Sequence, residues 1–261
     1  MIFKSDSYDT PLDKKRCICD RLALGSRWYF YWKYFLIIFS TNRAVENDVL
    51  VDEEYCKTAD QTFELLENCG AKIHAKGIDN IKKESGPVVF ICNHMSILET
   101  FILPAFIIPI NSVSFIVKES LTKHRLFGKI MRSTLPISVT RKDPMADYKK
   151  VMSEGKKMLD SGRSIIVFPQ KTRGSNFIAD EFGTIGEKLA GKAGVPIVPV
   201  ALKTDFWGNG KYFKDFGKIH RNKDVHFEFG VPFKLDSPAD KSGHPKIVSF
   251  IEERLNKWNS V

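Results

Sequence analysis

This 261-residue chain lacks any paired-cysteine motif. Its five cysteines, Cys17, Cys19, Cys56, Cys69 and Cys92, include no CxxC pair and do not cluster with histidine at metal-ligand spacing, which argues against a zinc-ribbon or disulfide scaffold. Reduced thiols in a cytosol-facing protein are the simplest account. His220 and His226 have no adjacent cysteine or acidic pair at ligand spacing, so no metal site is expected. The GxSxG elbow that carries the serine nucleophile of an α/β-hydrolase is absent. Residues 186–193 come near a P-loop, but Ala193 stands where Ser or Thr must ligate magnesium, and the segment leads from helix into strand, the reverse of a P-loop context. No internal repeat appears, and no recognition-helix, RRM or zinc-finger pattern, so nucleic acid is not an expected partner. Residues 1–20 are charged and hold no apolar core of the kind a cleavable signal peptide needs. The aromatic run WYFYWKYFLIIF at residues 28–39, interrupted by Lys33, is too short to span a bilayer.

What is present describes a large globular protein with an unusual leading segment. A hydrophobic content of 43% with 27% charged residues is enough apolar material for a sizeable core. A net charge of +9 points to an anionic partner: nucleic acid, a phosphorylated substrate or an acidic membrane surface. Residues 28–39 fit either a helix buried in a soluble domain or one lying at headgroup depth, and the clustered Trp and Tyr with flanking Arg27 and Arg43 favour the second. An amphipathic helix over 46–68 follows, with Val49, Tyr55, Cys56, Phe63 and Leu66 near helical spacing and Gly70 as its stop. From residue 71 short apolar runs (72–75, 88–92, 113–117, 135–140, 164–168, 195–202, 225–229) alternate with helical stretches (96–106, 122–132, 144–161, 183–193, 245–259). That alternation predicts an α/β domain over 71–261, a largely parallel central sheet flanked by helices, preceded by an N-terminal helical membrane-associating region over 1–70.

Ligands of such folds gather at the carboxyl ends of the strands, and two chemical stretches fall there. The first runs from the strand at 88–92 through Asn93 and His94 to a helix containing Glu99. Residues five apart on a continuous helix point about 140° apart. His94 and Glu99 therefore meet only if His94 lies in the turn before the helix and Glu99 in its first turn. A carboxylate so placed orients an imidazole that takes a proton. The same residues also spell a capping box, Ser96-x-x-Glu99. The second stretch, 168–174, places Lys171, Thr172 and Arg173 after a strand, where Arg173 can hold a phosphate by bidentate hydrogen bonds and Lys171 as a point charge, or where both are merely solvated. Lys118 and Arg141 also end strands and are further candidate cations.

Taken in order, these stretches resemble the lysophospholipid acyltransferase family, which includes the 1-acylglycerol-3-phosphate acyltransferases. The family's Asn-His-x-Ser-x-x-Asp motif is similar to residues 93–99, and its Phe-Pro-Glu-Gly-Thr-Arg motif to Phe168, Pro169, Gln170, Lys171, Thr172 and Arg173. Lys118, Gly128 and Arg141 match a second motif, and the apolar run 195–202 with Pro196 and Pro199 a fourth. The likeness covers roughly residues 70–235. Two positions depart from the pattern: Glu99 replaces Asp, and Gln170-Lys171 replaces Glu-Gly. The resemblance implies an O-acyltransferase that moves a fatty acyl chain from acyl-CoA or acyl carrier protein to a lysophospholipid, most simply 1-acylglycerol-3-phosphate, with no bound cofactor. His94 is then the general base and Glu99 its orienter, while Asn93, Ser96, Lys118, Arg141, Lys171, Thr172 and Arg173 lie with the substrate. The protein is expected at a membrane, on its cytoplasmic face. The Gln170-Lys171 departure leaves room for another lysolipid acceptor, such as an aminolipid or glycolipid. A non-catalytic protein that binds anionic lipid is the rival from another class, though binding alone requires neither His94 nor an acid at position 99.

Overall fold

The computed structural model describes residue 3 and residues 5–45, 52–125 and 127–260. Along the chain these form β1 (Ser7–Asp9), α1 (Ile18–Leu22), α2 (Arg27–Ala44), α3 (Asp52–Asn68), β2 (Ile73–Lys76), α4 (Asp79–Lys82), β3 (Val89–Cys92), α5 (Leu98–Ile107) and β4 (Val113–Lys118). There follow α6 (Glu119–Thr122), α7 (Gly128–Ser133), β5 (Ile137–Val139), α8 (Pro144–Asp160), β6 (Ser164–Val167), α9 (Ile185–Ala193), β7 (Ile197–Lys203), β8 (Val225–Phe229) and α10 (Gly243–Asn259). The strands join one sheet in the order β1-β2-β8-β7-β3-β6-β4-β5. Pairing is parallel throughout except between β1 and β2 and between β7 and β8.

The most apolar runs become the central strands because side chains alternate across a sheet and both of its faces are covered. In β3, Phe90 and Cys92 belong to the core under α2, α3 and α5, while Val89 and Ile91 belong to the opposite core under α8, α9 and α10. Ile166 and Ile165 of β6 divide in the same way. The result is a three-layer α/β arrangement. The near P-loop at 186–193 lies in helix α9, and a Cβ on Gly186 would come 2.7 Å from Ile91 Cδ1, so this glycine lets the helix approach β3.

Several expected elements shift. The expected strand over 135–140 shortens to β5 because left-handed residues bracket it, Leu135 at φ 51° and Arg141 at φ 61°. The single helix expected over 122–132 divides into α6 and α7: the chain doubles back so closely that a Cβ on Gly128 would meet the Thr122 carbonyl oxygen at 2.6 Å. Leu126, and residues 46–51 with Val49 of the expected helix over 46–68, lie outside the described residues. The segment over 1–70 supplies a strand as well as helices, since β1 pairs with β2 at the sheet edge.

Helix α2 is apolar on two sides. Phe30, Tyr31, Tyr34 and Ile38 are buried, with the Phe30 and Tyr34 rings 4.8 and 4.9 Å from that of Trp207. Trp28, Trp32, Leu36 and Phe39 face outward, and Trp28 is 67% exposed. A helix apolar all round is normally enclosed; this one is covered on one side only. No described helix is long and apolar enough to cross a membrane.

Candidate active site

The carboxyl ends of β7, β3, β6, β4 and β5 lie side by side because these strands are parallel neighbours, and each delivers a residue of interest. Asn93 follows β3. Its side-chain amide donates to the Leu202 carbonyl and its side-chain oxygen accepts the Leu202 N–H, both at 2.8 Å, so it continues the β3–β7 ladder after the main chain has left it. That frees the next residue, His94, to turn out of the sheet. The His94 ring stacks on Phe168 at the end of β6, with centroids 4.2 Å apart and planes inclined by 20°.

Glu99 sits in the first turn of α5, and its Oε1 lies 3.3 Å from His94 Nδ1. The geometry required by the five-residue spacing is therefore met. The capping reading is met in part: Glu99 accepts the Ser96 N–H at 3.0 Å, while the Ser96 hydroxyl oxygen accepts the N–H of Leu98 at 3.1 Å, and the helix begins after Ile97. The two readings describe one structure, in which the box holds the carboxylate against the ring. Glu99 is fully buried and also accepts the Met95 N–H at 2.6 Å and the Thr204 hydroxyl at 2.9 Å. Burial works against its ionisation, but the hydrogen bond and charge interaction with His94, joined by backbone N–H groups, outweigh it and hold the carboxyl below its ordinary range. An ionised Glu99 accepts from Nδ1, so His94 carries its proton there and presents Nε2 as the basic nitrogen. The ring is 18% exposed, enough for a reacting group to reach it.

The loop 170–174 is fastened to the same residue. Gln170 Oε1 accepts the His94 N–H at 2.5 Å, and the Gly174 N–H donates to the His94 carbonyl at 3.1 Å. Arg173, at the end of this loop, pairs with Asp215 at 2.6 Å. Thr172 accepts from Lys214 Nζ at 2.6 Å, and the Arg141 guanidinium donates to the Lys171 carbonyl at 2.6 Å. The Lys171 and Lys118 side chains are exposed. A histidine with a fixed tautomer thus stands beside a loop bearing Lys171 and Arg173 and braced by Arg141, an arrangement suited to deprotonating a hydroxyl on an anionic molecule.

Two of the expected substrate contacts belong elsewhere. Asn93 and Ser96 are each 1% exposed. Both Asn93 amide atoms are bound to Leu202, and the Ser96 hydroxyl is enclosed by Glu99, Thr204 and the Leu98 N–H, so these residues position the pair from beneath. Sequence reasoning missed Thr204, Gln170 as a clamp on the His94 backbone, and Asp215. Thr204 had one signal: it is a hydroxyl just beyond the apolar run 195–202, at a strand end.

A family model described as Acyltransferase matches residues 72–203. The 1-acyl-sn-glycerol-3-phosphate acyltransferase of Pseudomonas aeruginosa is 29% identical over 191 residues, which are 73% of this chain and 68% of that protein. A chloroplastic 1-acyl-sn-glycerol-3-phosphate acyltransferase of Arabidopsis thaliana is 27% identical over 140 residues, 54% of this chain and 37% of that longer protein. The crystal structure of the 1-acyl-sn-glycerophosphate (LPA) acyltransferase PlsC from Thermotoga maritima covers 91% of this chain and 94% of its own at a TM-score of 0.61, and at 20% identity this is a likeness of fold.

Proposed function

This chain belongs to the acyltransferase family, and on that premise we propose that it transfers a fatty acyl chain from an acyl thioester, acyl-CoA or acyl carrier protein, to the free hydroxyl of 1-acylglycerol-3-phosphate. The observation that carries the reading is the buried Glu99 carboxylate against His94 Nδ1, with the Arg173 loop bonded to the backbone of the same histidine. His94 Nε2 takes the proton of the acceptor hydroxyl as its oxygen attacks the thioester carbonyl. The new C–O bond forms, the C–S bond breaks, and the proton passes from His94 to the departing thiolate. Positioned base catalysis of this kind contributes about 10²–10⁴ in rate. The scheme requires no resident cofactor, since a thiolate already leaves readily.

Arg173, with Lys171 and Arg141 beside it, receives the phosphate. The Gln170 departure bears less on the acceptor than its position in the motif suggests, because its side chain turns inward to the His94 N–H. The open face of α2, with Trp28, Trp32 and Phe39 next to Arg27, Lys33 and Arg43, supports attachment to a membrane surface, and the five free thiols accord with its cytoplasmic side.

The direct test supplies labelled acyl-CoA or acyl carrier protein with a panel of lysolipids. Label is expected in phosphatidic acid. Label in an aminolipid or glycolipid instead would replace the acceptor, and no acylation from either donor would favour a lipid-binding protein without catalysis.

A further inference from the structure

Residues 208–217 form a strap between the candidate active site and helix α2. Its base is closed by the Gly208 N–H on the Lys218 carbonyl at 2.9 Å, and its middle by the Gly210 N–H on the Lys214 carbonyl at 3.0 Å. A Cβ on Gly217 would come 1.9 Å from the Gly208 carbonyl oxygen, so the two ends of the strap run closer than any other residue permits. This is a built turn, yet it leaves Tyr212 86% and Phe213 73% exposed at its tip. The two rings are neighbours in the chain and stand in water together.

Three contacts fix the returning end of the strap against α2: the Phe216 ring is 5.4 Å from Tyr31 and 5.7 Å from Phe35, and the Tyr31 hydroxyl donates to the Gly217 carbonyl at 2.7 Å. The tip also repeats the pattern of the helix. Arg27, Lys33 and Arg43 lie over the rings of Trp28, Trp32 and Phe39, and Lys211 lies over Tyr212 at 5.7 Å. Helix α2 contains no acidic residue, and the strap's one acid, Asp215, is taken up by Arg173. Exposed rings interleaved with cations suit an anionic lipid surface: the rings enter the headgroup layer while the cations meet its charge.

We infer that the 208–217 strap is a second lipid-contacting element, which inserts Tyr212 and Phe213 into an anionic membrane beside α2. Its other side reaches the head-group loop through Asp215 to Arg173 and Lys214 to Thr172. The strap therefore ties seating on lipid to the residues that take the acceptor phosphate. The inference rests on the proposed membrane association of the protein and is tested so that the strap and α2 can fail separately.

The full-length protein is sedimented with phosphatidylcholine vesicles containing about a third phosphatidylglycerol, alongside the strap variant Tyr212→Ser/Phe213→Ser and the helix variant Trp28→Ser/Trp32→Ser. The strap variant is expected to bind at least ten-fold more weakly and to raise KM for lysolipid embedded in vesicles, while turnover of a short-chain, water-soluble acceptor stays at the wild-type rate. Tyr212→Trp/Phe213→Trp is expected to restore binding. Loss of binding in the helix variant alone overturns the strap and leaves the membrane reading standing; loss in the strap variant alone upholds the strap and removes the helix. Wild-type protein that stays in the supernatant overturns both. Unchanged vesicle binding with slower use of acyl carrier protein than of acyl-CoA would overturn the lipid assignment in favour of an acidic protein.

Discussion

The protein holds His94 against Glu99 and, on its other helical layer, His244 against Glu187. By distance the second pair is the better one, with Nδ1 and Oε1 2.7 Å apart against 3.3 Å in the first. The difference lies in what supports the carboxylate. Glu99, besides its bond to His94, is surrounded by donors from Met95, Ser96 and Thr204 that satisfy the buried carboxylate. Glu187 Oε2 is buried with no hydrogen-bond partner among the described residues. The settings differ too: His94 opens at the carboxyl edge of the sheet beside the 170–174 loop, whereas His244 begins α10 and faces α9. If His94 is the base, separation between imidazole and carboxylate is a poor criterion for a working pair. Support beneath the acid and charge beside the base are better ones.

The histidines separate the two pairs most directly. His94→Ala is expected to lower kcat by about 10²–10⁴, the usual worth of a positioned base, with the melting temperature near that of the wild type. His244→Ala should leave turnover of vesicle-borne lysolipid within two-fold. A comparable loss in both variants, measured with one donor and one acceptor, would show that the two pairs act together.

Exchanging the acids separates the two pairs further. In Glu99→Gln the amide nitrogen cannot accept, so one of the donors converging on this position is left unsatisfied, at a cost of about 1–3 kcal/mol. Turnover should fall almost as far as in His94→Ala because the tautomer is no longer held. Glu187→Gln should leave turnover unchanged. The pH dependence separates them again. The folded-state pKa of Glu99 is depressed, so its contribution to stability is present above the ordinary carboxyl value of 4.5 and lost as pH falls through the lowered one. Melting temperatures measured downward from pH 5 should drop in the wild type by a component that Glu99→Gln lacks.

How much of this could be read from the chain depends on the range of the interaction. The parallel sheet and its strands at 88–92, 164–168 and 195–202 were visible as apolar runs because burial on both faces leaves no room for polar residues. His94 and Glu99 were visible because five residues and a strand-to-helix turn confine their geometry. Ser7–Asp9 was not, since three polar or aromatic residues become a strand only when the edge of β2 is available. The enclosure of Asn93 and Ser96 was also hidden: it depends on Leu202 and Thr204, more than a hundred residues away. Asp215 was hidden because it meets Arg173 from a different loop, and it changes the picture of Arg173 from an open cation to one already paired.

That pairing bears on the next largest effect. A charge-assisted hydrogen bond contributes about 1.5–3 kcal/mol, so Arg173→Ala should raise KM for the acceptor roughly 10- to 100-fold with a smaller change in kcat. No equivalent cation is assigned beside His244. An unchanged acceptor KM would remove Arg173 from the phosphate site and leave it as a brace for Asp215.

The smallest effect concerns the clamp on His94. Gln170 stands where the family motif has Glu, and its Oε1 accepts the His94 N–H. A carboxylate accepts the same bond and strengthens it, so Gln170→Glu should change kcat/KM by less than about three-fold. Gln170→Ala removes the acceptor of a hydrogen bond worth about 0.5–1.5 kcal/mol net, and should lower kcat while KM for the thioester stays constant. If Gln170→Glu instead shifts the preferred acceptor in the lysolipid panel, the residue reads the head group, and the loop would have to open from its bond to His94 for it to do so.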